Sequence, residues 1–386
     1  MNIKNIFLIL FYSLLLSVHN EDYKTFIANL NLNLEEVKVT TEDRYVNTVW
    51  VVTSKDASKR NGESVILVHG LLDGGISWLV NEENSLAKIL CDQGYIVYLP
   101  YVRGSIFSNS HLDYNSNVSS KYWDFSFDEM AKYDVPAIIN LVKKRDNIEK
   151  VIYIGYSQGS LLFFLEYMND PEFMEKSVKK FVALGPVPNV NHSSHPIFKI
   201  LQKTKILNFI LNEKFMDFPE EIMKIIMPFY NPKKKKSLIN KMFTYFYGGK
   251  HDTKRFNFTK YGKNLLMYQP CGTSLQNMKH WIQMYSTKKV RKYDYGKIKN
   301  LFYYKSFSPP AYDLNKMKKY SIPSLMTISD ADPYSNPQDT LDFVNIIEDK
   351  KVVEFINVTN YNHIDYFYAD SAVVEVFPNI LNFFKK

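Results

Sequence analysis

Three residues of this chain, each read with the stretch that precedes it, have the types and order needed for acyl transfer. Ser157 lies in Gly155-Tyr156-Ser157-Gln158-Gly159, directly after four β-favouring residues, Val151 to Ile154, and directly before an apolar run through Tyr167. A serine between glycines at such a strand-to-helix turn is held with its hydroxyl clear of the sheet, while a bare Gly-x-Ser-x-Gly also describes an ordinary turn serine. Downstream, Ser321 to Ser329 reads as a strand ending in Asp330-Ala331-Asp332-Pro333, and Lys351 to Val358 reads as another, ending in Tyr361-Asn362-His363-Ile364-Asp365. Serine, then acid, then histidine, each after a strand, suits a nucleophile, an orienting carboxylate and a general base. Spacing leaves the acid open between Asp330 and Asp332.

The elements around these residues have the rhythm of an α/β sheet. Val65 to Val68 and Tyr95 to Leu99 are near-continuous apolar strands with a helical stretch to about Cys91 between them, and Val178 to Leu184 is another strand. Such runs predict a mostly parallel sheet covered on both faces, and the order of the three reactive residues is that of an α/β-hydrolase fold. Glu35 to Thr53 predicts an antiparallel edge hairpin turning at Thr41-Glu42-Asp43-Arg44. After Val65 to Val68 comes His69-Gly70-Leu71-Leu72-Asp73-Gly74-Gly75, whose backbone would face the crevice at the carboxyl end of the sheet. The amides of Leu71 and Gln158 are therefore the candidate oxyanion donors. A plain strand-to-helix turn is the alternative for the first of these. Asp128 and Asp134, at helical spacing, read as structural carboxylates, and the histidines other than His363 as structural or surface residues.

Domain organisation follows from where that rhythm breaks. Residues 21–187 form the first part of the core and 319–386 the second, with a helical, amphipathic insertion over 188–318 that reads as a cap or lid. Its apolar faces suit a lipophilic substrate, although packing alone accounts for most of these residues one by one. Lys233 to Lys236 reads as a solvated loop, or as a contact for an anionic lipid surface.

Composition narrows the classes further. The 386 residues carry a net charge of +8, but the lysines are scattered among Asn, Tyr and Ile, so nucleic-acid binding is not expected. Residues 1–20 place one lysine ahead of the apolar block Ile6 to Leu16, the form of a secretory signal peptide. The block is short for a membrane span, an uncleaved anchor being the alternative, and no later stretch approaches that length. Four sequons agree with the secretory route, at Asn117, Asn191, Asn257 and Asn357. The two cysteines, Cys91 and Cys271, allow at most one disulfide, and Cys91 in its apolar run reads as a buried thiol. No metal ligands stand in metal-binding spacing, no phosphate loop is present, and the chemistry needs no cofactor.

From about Val39 to the C-terminus the chain resembles the acid lipase family of α/β hydrolases, which includes animal gastric and lysosomal lipases and invertebrate relatives. The likeness rests on His69-Gly70-Leu71-Leu72, Trp123 to Pro136, Gly155 to Gly159 and Gly272 to Trp281. Tyr293-Asp294-Tyr295-Gly296, Pro337-Gln338-Asp339 and Tyr361 to Asp365 complete it. The resemblance implies Ser157 as nucleophile, Asp332 rather than Asp330 as acid, His363 as base and Leu71 and Gln158 as oxyanion amides. It implies hydrolysis of triacylglycerols or cholesteryl esters at acidic pH, at a lipid-water interface, in lysosomes or outside the cell. The sequence departs from the family in having Tyr156 where histidine is usual, Arg44 where the hairpin usually has glycine, and no cap cysteine pair of the vertebrate kind. Residues 188 to 262 match poorly, which keeps two alternatives in view: a carboxylesterase for smaller esters and an idle lipid-binding protein.

Overall fold

The computed structural model describes residues 23–193 and 270–386. The leader at 1–20, the sequon at Asn257, the run Lys233 to Lys236 and most of the expected cap lie outside the described residues.

Among the described residues, nine strands form one sheet in the order β1-β2-β4-β3-β6-β7-β8-β9, with β5 paired to β2. They span Leu32–Thr40 (β1), Tyr45–Ser54 (β2), Ser64–Val68 (β3), Ile96–Tyr101 (β4), Ser110–His111 (β5), Val151–Tyr156 (β6), Val178–Leu184 (β7), Ser324–Ser329 (β8) and Val353–Val358 (β9). β1 and β2 form the antiparallel hairpin, β2 runs antiparallel to β4, and from β4 through β9 every pairing is parallel. At the hairpin turn Arg44 has φ 75°, a left-handed conformation that glycine would adopt without strain. Its side chain pairs with exposed Asp113 at 2.6 Å.

The central strands read as unbroken apolar runs because both of their faces are covered. In β3, Ile66 and Val68 enter one core and Val65 and Leu67 the other, all at most 1% exposed. Helices α1 (Leu86–Asp92), α2 (Val135–Asp146), α3 (Gln158–Asn169), α4 (Pro171–Ser177), α5 (Leu275–Thr287), α6 (Lys297–Tyr304), α7 (Pro337–Val344) and α8 (Phe377–Lys385) surround them. α3 is buried around its whole circumference from Gln158 to Met168, as an apolar helix on every side must be.

The described part of the insertion is not purely helical. Between α5 and β8, Val290 to Lys292 runs beside Pro310 to Tyr312 in extended form, Lys292 N–H donating to Pro310 O at 2.9 Å and Tyr312 N–H to Val290 O at 3.2 Å. Gly296, with φ 87°, starts α6 there, and Lys305, in the left-handed region, ends it. Both cysteines are buried free thiols.

Asp128 and Asp134 are buried rather than solvated. Asp134 receives Arg103 Nε at 2.9 Å, Nη2 at 2.8 Å and the Arg103 backbone amide at 3.0 Å, and the same guanidinium reaches Asp43 in the hairpin turn at 2.6 and 2.8 Å. This fully buried arginine ties the turn after β4 to the hairpin and to the start of α2.

Candidate active site

Ser157 sits between β6 and α3 with φ 51° and ψ −114°, a backbone strain that a packed turn must hold. Two glycines make the turn feasible. A Cβ on Gly159 would stand 2.2 Å from Val68 O, and one on Gly155 would stand 2.6 Å from Gly159 O and Ser160 N. The Ser157 amide still donates to Leu184 O at 3.0 Å, while its carbonyl accepts from Ser160 N at 3.0 Å and Leu161 N at 3.2 Å. Strand pairing on one side and helical bonds on the other thus lock the serine at the tip.

His363 arrives from the loop after β9. Ser157 Oγ lies 2.7 Å from His363 Nε2, and His363 Nδ1 lies 2.8 Å from Asp332 Oδ2. Asp332 comes from the loop after β8, is 3% exposed, and uses its other oxygen, Oδ1, to accept the amides of Tyr334 and Ser335, each at 2.9 Å. A carboxylate so bonded keeps the Nδ1–H tautomer of His363, which leaves Nε2 free to accept the serine proton. Asp330 is exposed and accepts the Asn360 amide at 2.8 Å. It braces the β9 loop and does not reach the imidazole.

The Gly70 loop passes beside the serine: a Cβ on Gly70 would touch the Tyr156 ring at 2.9 Å and Ser157 Cβ at 3.3 Å. Next to it, the Leu71 amide donates to no acceptor among the described residues, and neither does the amide of Gln158 at the first turn of α3. Two N–H groups without an acceptor among the described residues, one in the loop that passes Ser157 and one at the start of α3, can donate hydrogen bonds to a developing oxyanion.

The loop is held from beneath. His69 Nδ1 donates to Gly70 O at 2.9 Å and Nε2 accepts the Val102 amide at 3.2 Å, while burial pushes its pKa down to about 4, keeping the ring neutral. Burial also pushes the Asp73 carboxyl up to about 7, against the bonds it accepts from Ser77 Oγ and the Gly74 amide.

Two contacts have no signature in the motifs themselves. Tyr156 donates its hydroxyl to His363 O at 2.9 Å, and its ring packs near the imidazole, as does that of Tyr334. The buried Gln158 side chain bonds Asn277 and Trp281 of α5. No local pattern could have announced the second contact, since its partners stand more than a hundred residues downstream. Of the four sequon asparagines, Asn117, Asn191 and Asn357 are exposed.

Among the described residues no cluster of His, Cys, Asp or Glu could hold a metal ion, and no helix is long and apolar enough to cross a membrane. The family described as "alpha/beta hydrolase fold" matches residues 63–370, and that described as "partial alpha/beta-hydrolase lipase region" matches residues 23–82. Gastric triacylglycerol lipase of Mus musculus is 31% identical over 360 residues, covering 90% of this chain and 87% of its own. That of Homo sapiens is 32% identical over 357 residues, with 90% and 87% covered. Lipase member K of Mus musculus is 29% identical over 369 residues, with 92% and 90% covered. Naproxen esterase from Bacillus subtilis shares the fold at a TM-score of 0.53 and 14% identity, covering 95% of this chain and 96% of the esterase. An esterase from Thermogutta terrifontis does so at 0.51 and 15%, with 91% and 98% covered. The chain belongs to the acid lipase family of α/β hydrolases and is a carboxylic ester hydrolase.

Proposed function

We propose that the protein is a serine lipase that hydrolyses ester bonds of neutral lipids, triacylglycerols or cholesteryl esters, through an acyl-enzyme on Ser157. The observation that carries this reading is the unbroken hydrogen-bonded line from Asp332 through His363 to Ser157 Oγ. Ser157 Oγ attacks the ester carbonyl carbon as its proton passes to His363 Nε2, and the amides of Leu71 and Gln158 take the charge that develops on the carbonyl oxygen. Collapse of the tetrahedral species breaks the bond to the alcohol oxygen, which receives the proton from His363. Water then repeats the sequence on the acyl-enzyme, releasing fatty acid and free Ser157. Asp332 orients the ring and stabilises the imidazolium in both halves. No step draws on a metal or cofactor.

The choice of neutral lipid is supported by relatives named triacylglycerol lipases and by the insertion between β7 and β8, which we take to cap the site over 188–318. The secretory route is supported by the form of residues 1–20 and by three exposed sequons. The deciding experiment incubates purified protein and Ser157→Ala with a triacylglycerol, a cholesteryl ester, a phospholipid and a short soluble ester at pH 5 and pH 7. Fatty acid released by the wild type alone, faster from long-chain emulsions than from the short ester, is expected. Equal release by the two proteins removes the serine mechanism, and a preference for the short soluble ester makes the protein a carboxylesterase.

A further inference from the structure

The residues from Gly272 to Trp281 supply no reacting group, yet they touch the active site from behind. Gln158, the first residue of α3, is 1% exposed, and its side-chain carbonyl Oε1 accepts two hydrogen bonds from α5: Trp281 Nε1 at 2.7 Å and Asn277 Nδ2 at 3.0 Å. Its amide end rests on Met130 Sδ at 3.5 Å. Asn277 is itself immobilised, donating also to Thr273 Oγ1 at 2.9 Å and accepting the Phe127 amide at 2.9 Å.

α5 is in turn bolted to the segment before α2. Ser274 Oγ accepts the Asn277 amide at 2.9 Å, capping α5, and donates to Phe125 O. One turn further on, the His280 ring stacks on Phe127 at 3.8 Å, with Nδ1 at 2.9 Å from Ser126 Oγ and Nε2 at 2.9 Å from Arg291 O. The two stretches that carry much of the family likeness, Trp123 to Pro136 and Gly272 to Trp281, therefore close on one another and on a single glutamine.

From this arrangement we infer that Asn277 and Trp281 are positioning residues for the oxyanion site, holding the Gln158 backbone amide on line through the Gln158 side chain; the inference rests on the reading of that amide as an oxyanion donor. The physical reason lies in the strain next door. The carbonyl of the peptide joining Ser157 to Gln158 is held by the Ser160 and Leu161 amides and by Ser160 Oγ, so the aim of its N–H depends on how firmly the first turn of α3 is seated beside the strained Ser157, whose φ is 51°. A Gln158 side chain without fixed partners would leave that first turn free to shift as a unit, and an oxyanion donor loses its value when it must reorganise during the reaction. Two donors on one buried carbonyl oxygen, both from a helix anchored elsewhere, remove that freedom.

Trp281→Phe deletes one donor and keeps an aromatic ring, and Gln158→Met deletes the acceptor. The assays are steady-state hydrolysis of a short soluble ester and equilibrium binding of an alkylboronic acid. The boron of that acid takes an electron pair from Ser157 Oγ to form a tetrahedral anion, and the serine proton passes to His363. Trp281→Phe is expected to lower kcat about fivefold at unchanged KM and to weaken boronate binding by the same factor, the size of one hydrogen bond. The shape of the kcat/KM profile against pH should not change. Placed in Gln158→Met, the same substitution should have no further effect. A loss under threefold in folded Trp281→Phe overturns the inference, as does a loss that persists undiminished in Gln158→Met. If Ser157→Ala keeps turnover, it is the hydrolase reading that fails; if Ser157→Ala is inactive while Trp281→Phe is normal, only the positioning role does.

Discussion

Replacing Asp332 by asparagine changes one atom, and the structure says which way the new amide must turn. Oδ1 of Asp332 accepts two backbone amides, from Tyr334 and Ser335, both at 2.9 Å. An asparagine there must keep oxygen on that side, because an NH2 group would face two N–H donors in a buried site. Its NH2 is then aimed at His363 Nδ1, where the carboxylate stood at 2.8 Å. The imidazole answers by putting its proton on Nε2, so it donates toward Ser157 Oγ instead of accepting from it. The general base is lost without loss of shape. A wrong tautomer of this kind lowers kcat by about 10⁴, or roughly 5 kcal/mol of transition-state stabilisation. Folding should change little, since the two loop amides keep their acceptor. Asp330→Asn supplies the internal comparison: Asp330 is exposed and only holds the Asn360 amide, so its kcat should stay within about twofold of wild type. Initial rates on a short soluble ester, with circular dichroism to verify folding, read both variants. An Asp332→Asn enzyme keeping more than a tenth of wild-type kcat, or an Asp330→Asn enzyme losing as much as Asp332→Asn, refutes the reasoning.

Three further outcomes are expected. Gly159→Ala places a methyl group 2.2 Å from Val68 O at a buried turn, and should give insoluble protein or a thermal midpoint lowered by many degrees; a soluble, active variant of unchanged midpoint contradicts this packing. Arg103→Met leaves Asp134 buried without its partner and frees Asp43, at a cost of about 3 to 5 kcal/mol in urea unfolding. Stability should rise from pH 8 to pH 6. Burial holds Asp73 at about 7 and Glu166 at about 8, so across this window the folded chain binds more protons than the unfolded one and is penalised as pH rises toward those values. His69, held near 4 by burial, acts in the opposite sense as pH falls through the unfolded value near 6.5. The carboxyls win between pH 8 and 6 by an amount of order 3 kcal/mol, or roughly 3 to 6 °C in thermal midpoint. A flat or inverted profile in a calorimetric scan over that range would count against the burial of these groups.

How far the sequence could carry these conclusions depends on the range of the interaction being read. The parallel strands were legible because burial on both faces forces runs such as Val65 to Val68 and Val151 to Ile154, and a run is a local pattern. The turn at Ser157 was legible for the same reason, its glycines answering steric demands within a few residues. The extended pair at Val290 to Lys292 and Pro310 to Tyr312 was not, since it lies in a lysine- and tyrosine-rich stretch with no period of two. It is held by two amides and by Lys292, which reaches the Tyr312 hydroxyl at 2.8 Å.

The acid shows where pattern ends and packing begins. Asp330 and Asp332 stand two residues apart at the end of one strand, where side-chain alternation has lapsed, so spacing gives no ground for preferring either; only resemblance to the family could. In the structure the two carboxylates are parted by what the loop does with its amides. Asn360 N–H draws Asp330 outward to brace the β9 loop, while Tyr334 and Ser335 turn back on Asp332 and hold it inward against His363. The same contrast separates the two parts of Gln158. The role proposed for its backbone follows from its place after the serine, a local fact. The partners of its side chain could not be read so, because Asn277 and Trp281 stand 119 and 123 residues away along the chain. What resemblance marked as a characteristic stretch, packing explains as the floor beneath Gln158.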